Sequence, residues 1–286
     1  MTALGVGWGA GWVTDFFARL VEPPIVIPSG QPTTNGPLST PSPTAVVPEL
    51  FPAITRALDE ADSSAGLTSL EVPVAGSGTL VVIPGQSEVT PGVDTRFVRM
   101  EIEAGLPFAE EVFADFILAT LTDARGWGID DSHTYARTDG IADIRVVIAS
   151  PETIATLCAR PHEARSARAP EVEPSSGVDA SPNVSASATP TVEPSCADLG
   201  IVPISAYSWA AGVFAFGEDR TAARQWLVLH GVGHVWGRAE EECDTSVRNP
   251  GASVMVDHTR TIVPCTPQQW PFPDALPPVE ETEETT

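Results

Sequence analysis

No lysine occurs anywhere in the 286 residues, and all 15 basic residues are arginines. A lysine nucleophile, a Schiff base and a Walker-type phosphate loop each require that ammonium group, so those enzyme classes are excluded. Positive charge of any kind is scarce. The 38 acidic residues against 15 basic ones give a net charge of -23, which repels phosphate backbones and anionic membrane surfaces. Nucleic acid is therefore excluded as a partner. No cysteine pair has the C-x-x-C spacing of a zinc ribbon or a thioredoxin-like site. No G-x-S-x-G elbow surrounds Ser205, Ser208 or Ser253, so a serine-hydrolase triad has no support. No apolar run amounts to a complete transmembrane helix.

What is present divides the chain into parts. Residues 1–22 are small and apolar but lack a basic leading region, and Asp15 and Arg19 interrupt them. They read either as an incomplete signal or membrane anchor, which would give N-terminal membrane attachment, or as a short amphipathic segment. Residues 23–47 are rich in Pro, Ser and Thr, the composition of an extended linker. Residues 48–276 form one domain of mixed α and β character, and residues 277–286 an acidic tail. Within the domain, helices are expected at 48–61, 107–123, 151–158 and 219–236, and strands at 79–83, 96–103 and 144–149. In the second strand Val98, Met100 and Ile102 alternate with Arg99, Glu101 and Glu103, which predicts one buried and one solvated face. Residues 159–195 contain no aromatic side chain and too little apolar bulk to offset the entropy of ordering, so they read as a disordered insertion.

Cys158, Cys196, Cys243 and Cys265 allow three disulfide pairings. The preferred one joins Cys158 to Cys196 and Cys243 to Cys265, because each bridge then staples a loop between neighbouring elements. It predicts an extracytoplasmic location. Four buried free thiols in a cytosolic protein are the alternative.

Chemistry concentrates in the last helix. His230 and His234 are four residues apart, which puts both imidazoles on one face, one turn apart, where they can grip one metal ion. Gly237 ends the helix, and a sharp turn there brings Glu240 back as a third ligand. The pattern is H-x-x-x-H-x-x-G-x-x-E in HGVGHVWGRAE, with Met255 downstream in ASVMVDHT. Two buried, hydrogen-bonded histidines on a helix are the bland alternative for an isolated H-x-x-x-H. His133, His162 and His258 read as surface residues by default, His258 otherwise as a fourth ligand or a donor to one. Trp209, Trp226, Trp236 and Trp270 read as core or cleft-wall aromatics.

The stretches VRMEIEAGLPF, LTDARGWG, VVIASPETIATLC, ISAYSWAAG, RQWLVLHGVGHVWG, ASVMVDHT and VPCTPQQWP occur in this order. In them the chain resembles the metzincin-like domain of unknown function found in secreted or anchored actinobacterial proteins. The resemblance covers residues 79–273 apart from the insertion. It implies an α+β zincin fold with a twisted mixed sheet, an active-site helix, a Met-turn at Met255, one zinc ion and peptidase activity. Its motif is H-E-x-G-H-x-x-G-x-x-H followed by a cysteine that corresponds to Cys243. Two positions depart from it: the glutamate after the first histidine is Gly231, and the third histidine is Glu240. The glutamate of that motif is a general acid and base worth about a hundred- to ten-thousandfold in rate, and glycine cannot transfer a proton.

The leading expectation is thus an extracytoplasmic, monomeric zincin-like domain with no catalytic base, inactive or weakly active, holding zinc on His230, His234 and Glu240 and able to take a peptide or protein ligand. An active zinc peptidase with a base relocated to Glu241, Glu242 or Asp257 is the first alternative. A metal-free protein-binding module of the cell envelope is the second.

Overall fold

The computed structural model describes residues 51–89, 93–128, 133–166, 193–246 and 250–275. The leader, the linker, most of the insertion and the acidic tail lie outside these residues. The expected helix at 48–61 is replaced by a five-residue one, α1 (Glu60–Ser64). Its start is fixed by Asp59, whose side chain accepts from the Asp62 N–H at 3.0 Å, while the Asp62 carboxylate accepts from the Asp59 N–H at 3.1 Å. A short strand β1 (Leu80–Val82) runs antiparallel to β2 (Thr95–Glu103), with Val81 opposite Ile102. Helix α2 (Glu110–Thr122) carries Glu110 and Glu111 in its first turn, where the helix dipole favours acids.

Strand β3 (Thr134–Arg137) was not expected from the sequence; its four residues are too few to show a period, and its register is set by β2, with Phe97 opposite Ala136. Strand β4 (Ile144–Ala149) lies parallel to β2, and β5 (Ile201–Ser205) parallel to β4. The order is β1-β2-β4-β5, and β3 shares the free side of β2 with β1. The result is an open mixed sheet in an α+β domain.

Val98, Met100, Ile102, Ile144, Val146, Ile148, Val202 and Ile204 line one face of the sheet and pack against α2 and the long helix α5 (Arg220–Val235). Val147, Ala149 and Ile201 line the opposite face beneath α3 (Pro151–Leu157) and the Cys158–Cys196 disulfide. Both faces of β4 are therefore covered, which is why it is apolar at every position but Arg145. Strand β2 departs from its expected solvated face. Glu101 and Glu103 are only 3 % and 0 % exposed. Arg145 and Arg99 bond to Glu101, while Glu103 accepts from the Ser150 N–H at 2.7 Å and the Gly78 N–H at 2.6 Å. Burial opposes the ionisation of both, but these donors outweigh it and hold both carboxyls below their ordinary range.

Each helix is anchored in turn. Asp62 and Arg224, both 0 % exposed, form a buried pair that joins α1 to α5, and Arg56 also bonds to Asp62. Ser205, at the start of the short helix α4 (Ala206–Ala211), accepts from the Ser208 N–H.

The insertion is tied at both ends. Cys158 is bonded to Cys196, and Cys243 to Cys265. Arg160 and Ser195 form a parallel bridge, and the Asp198 carboxylate accepts from the N–H groups of Ser166 at 2.7 Å and Ser195 at 2.8 Å. Residues 159–166 thus have a defined course, while 167–192 lie outside the described residues. Two disulfides are those of a chain that matures in an oxidising environment. Among the described residues no helix is long and apolar enough to cross a membrane.

Candidate metal centre

Helix α5 begins where the Asp219 side chain accepts from the Ala222 N–H at 3.0 Å. It buries Trp226, Leu229 and Val232 against the core. It ends in a Schellman turn: Arg238 N–H donates to the Gly233 carbonyl and Gly237 N–H to the His234 carbonyl, each at 2.9 Å. Gly237 makes this turn at φ +83°, a left-handed conformation that glycine adopts without strain. The chain then doubles back, and the Glu241 N–H donates to the Met255 carbonyl at 3.0 Å. These local devices bring Glu240 to the histidine face of the helix.

Three side chains converge there. His230 Nε2 and His234 Nε2 are 3.0 Å apart, and Glu240 Oε1 lies 3.2 Å from the first and 3.3 Å from the second. His230 Nδ1 lies 2.9 Å from the Val254 carbonyl and His234 Nδ1 2.8 Å from the Arg238 carbonyl. A carbonyl only accepts, so each Nδ1 carries the ring proton and each Nε2 presents a lone pair. Two lone pairs and a carboxylate oxygen therefore face one another, an arrangement that calls for a cation. Ligand atoms on a tetrahedral ion with bonds of about 2.0 Å stand about 3.3 Å apart, close to the three separations found here. His230, His234 and Glu240 are a set able to hold a metal ion.

The supporting shell is a tight turn. Ser253 Oγ accepts from the Met255 N–H at 3.2 Å, and the Val254 carbonyl receives Trp226 Nε1–H at 2.9 Å besides the His230 ring. Met255 is buried, and a Cβ on Gly233 would lie 2.4 Å from its sulfur. Gly231 has a similar neighbour on the opposite side. A Cβ there would meet Val202 Cγ1 at 2.4 Å, so helix and β5 approach more closely than any larger residue allows.

The other candidates separate clearly. Glu241 and Glu242 are exposed, and the Asp257 carboxylate is engaged by Thr259 and Arg260. His258, a default surface residue in the sequence, is fully buried: it stacks on Phe216, bonds through Nδ1 to the Val256 carbonyl and accepts at Nε2 from the Gln268 N–H. Both ring nitrogens are committed, so it offers no ligand. His133 is likewise buried, against Tyr135 and Trp236, because β3 carries it inward. Trp209, Trp226 and Trp270 are core residues, and Trp236 is half-buried at the end of α5. His162 does remain exposed, yet it stands within charge range of His230, His234, Glu240 and Asp257. Sequence spacing carried no signal for that, since His162 belongs to the segment that opens the insertion. Val202 and Val254 were missed for the same reason, since their roles arise where separate segments meet, and Arg238 acts through a backbone carbonyl that its side chain does not reveal.

No curated protein and no solved structure matches the chain. Residues 67–265 span the five strands described, both disulfides and the three converging side chains. They match the family described as a protein of unknown function (DUF3152), and the chain belongs to that family.

Proposed function

We propose that this is an extracytoplasmic, zincin-like domain that holds one zinc ion on His230, His234 and Glu240 and has lost the proton-transfer machinery of a peptidase. In this reading α5 is the active-site helix, the turn at 253–256 is the Met-turn, and the cleft beside them takes a peptide or protein ligand without turning it over efficiently. The observation that carries the reading is the convergence of three acceptor atoms within 3.0 to 3.3 Å, with both Nδ1 protons committed to carbonyls. When bound, zinc would supply Lewis acidity toward a carbonyl oxygen.

The chain's own residues account for the rest. The Val254 and Arg238 carbonyls fix the tautomer and orientation of the two imidazoles. Glu240 is ionised at neutral pH and offsets part of the ion's charge. Residue 231 supplies no proton acceptor, and the Asp257 carboxylate is engaged by Thr259 and Arg260. Three groups able to hold a metal are thus in place, and the group that would move a proton is missing.

Zinc titration of metal-stripped protein against a chromophoric chelator, joined to a peptide-library cleavage assay, tests this. The expected result is one tight site, weakened at least tenfold in His234→Ala, with cleavage no faster than the zinc-free control. Metal-dependent cleavage at ordinary peptidase rates would contradict the degenerate reading, and failure to bind zinc would contradict the metal-site reading.

A further inference from the structure

The segment 159–166 is tied down on both sides of a histidine. Before it stand the Cys158–Cys196 disulfide, the Cys196 N–H bonded to the Arg160 carbonyl at 3.2 Å, and Arg160 Nη2 bonded to the Glu193 carbonyl at 2.8 Å. After it, the Arg165 N–H donates to the carbonyl of His234 at 2.9 Å, and Ser166 is held by Asp198 through its N–H at 2.7 Å and its hydroxyl at 3.2 Å. The segment is a strap across the C-terminal end of α5, fastened directly to a residue of the metal centre.

His162 lies three residues before Arg165, so its Cα lies within about 13 Å of the His234 carbonyl. It interacts electrostatically with His230, His234 and Glu240, and its imidazole makes no hydrogen bond among the described residues. It is not one of the three groups whose ligand atoms already lie within 4.8 Å of one another. A change of rotamer swings an imidazole through several ångströms, and a fourth ligand at His162 requires the ring to close the remaining gap in that way. No other described imidazole is available: His258 has both nitrogens bonded, and His133 is buried against Tyr135 and Trp236.

We infer that His162, carried on the strap at 159–166, is a fourth protein ligand of the metal centre formed by His230, His234 and Glu240. The inference rests on the metal-site reading above and goes beyond it. Zinc sites that keep an open position are catalytic, and sites filled by four protein ligands are structural. A neutral imidazole donating its lone pair from the strap closes the centre, in keeping with a helix that has no general base at Gly231. The ion then becomes a clasp between the insertion's base and α5.

X-ray absorption of the zinc-loaded full chain, with chelator competition on wild type and His162→Ala, tests the inference. The expected result is three imidazoles on the zinc in wild type, two in the variant, and an affinity reduced about tenfold or more. Two imidazoles in wild type, or an affinity unchanged by His162→Ala, would overturn the fourth ligand and leave the three-residue site standing. Absence of zinc from the wild type would overturn both.

Discussion

A side chain at position 231 would begin 2.4 Å from Val202 Cγ1, well inside contact distance, and Val202 is a buried residue of β5. A glycine at 231 and the close packing of the helix on the sheet are therefore one feature. Overpacking of a core contact costs about 1–3 kcal/mol. Gly231→Ala is expected to lower the thermal midpoint, Gly231→Glu to lower it further, and Val202→Ala to restore much of the loss in Gly231→Glu. Thermal melts of the three variants check this, and a Gly231→Glu protein as stable as wild type would show that β5 does not constrain the position. Peptide cleavage gained in the Val202→Ala, Gly231→Glu double variant would identify the missing carboxylate as what separates the centre from an active one. Of these facts the sequence carried half. The absence at 231 is visible from its neighbours in the chain, whereas Val202 is 29 positions away and enters only through the approach of helix to strand.

Elements hold these residues in place through carboxylates more often than through bulk. Asp198 joins the two ends of the insertion, and although burial opposes its ionisation, the N–H groups of Ser195 and Ser166 outweigh that and hold its carboxyl at about 2. Its folded value is depressed, so its contribution is fully present above its ordinary value near 3.8 and is lost as the pH falls toward 2. Hydrogen exchange at the amides of Arg165 and Ser166 should accelerate across that window in wild type. In Asp198→Asn it should be faster at neutral pH and lack that step; identical profiles would remove Asp198 from the strap. The long elements were legible because period and breaker agree. In α5 the core face repeats at helical spacing from Asp219 to Gly237, and β4 is apolar except at Arg145. The failures share one cause. Glu101 and Glu103 alternate as a solvated face would, but Arg145 and the Ser150 and Gly78 amides lie beyond any local window. In the same way β3 exists because β2 offers it a partner.

Across the whole molecule the two disulfides and the buried Asp62 pair do what a modest core leaves undone. Cys243–Cys265 closes the 22-residue separation that contains the turn at 253–256. Through the Val254 and Met255 carbonyls, that turn orients His230 and positions the chain beside Glu240. A loop of this length is worth about 3 kcal/mol of chain entropy. Replacing both cysteines by serine should cost about that much in denaturant unfolding and should also weaken zinc binding. A change in stability alone would separate the bridge from the metal centre. Asp62 and Arg224 fasten the opposite side of α5 to α1, so the helix that carries both histidines is held at both ends and on both flanks. Such anchoring fixes the relative positions of His230 and His234.

The most direct measurement is elemental analysis of the untagged full chain, purified without added metal or chelator, beside the His230→Ala, His234→Ala double variant. One zinc per wild-type chain, and none in a double variant that keeps its fold by circular dichroism, is the predicted result. A wild-type chain without zinc that also takes up none on dialysis against it, or equal zinc in both proteins, would contradict the assignment of His230, His234 and Glu240 as a metal centre.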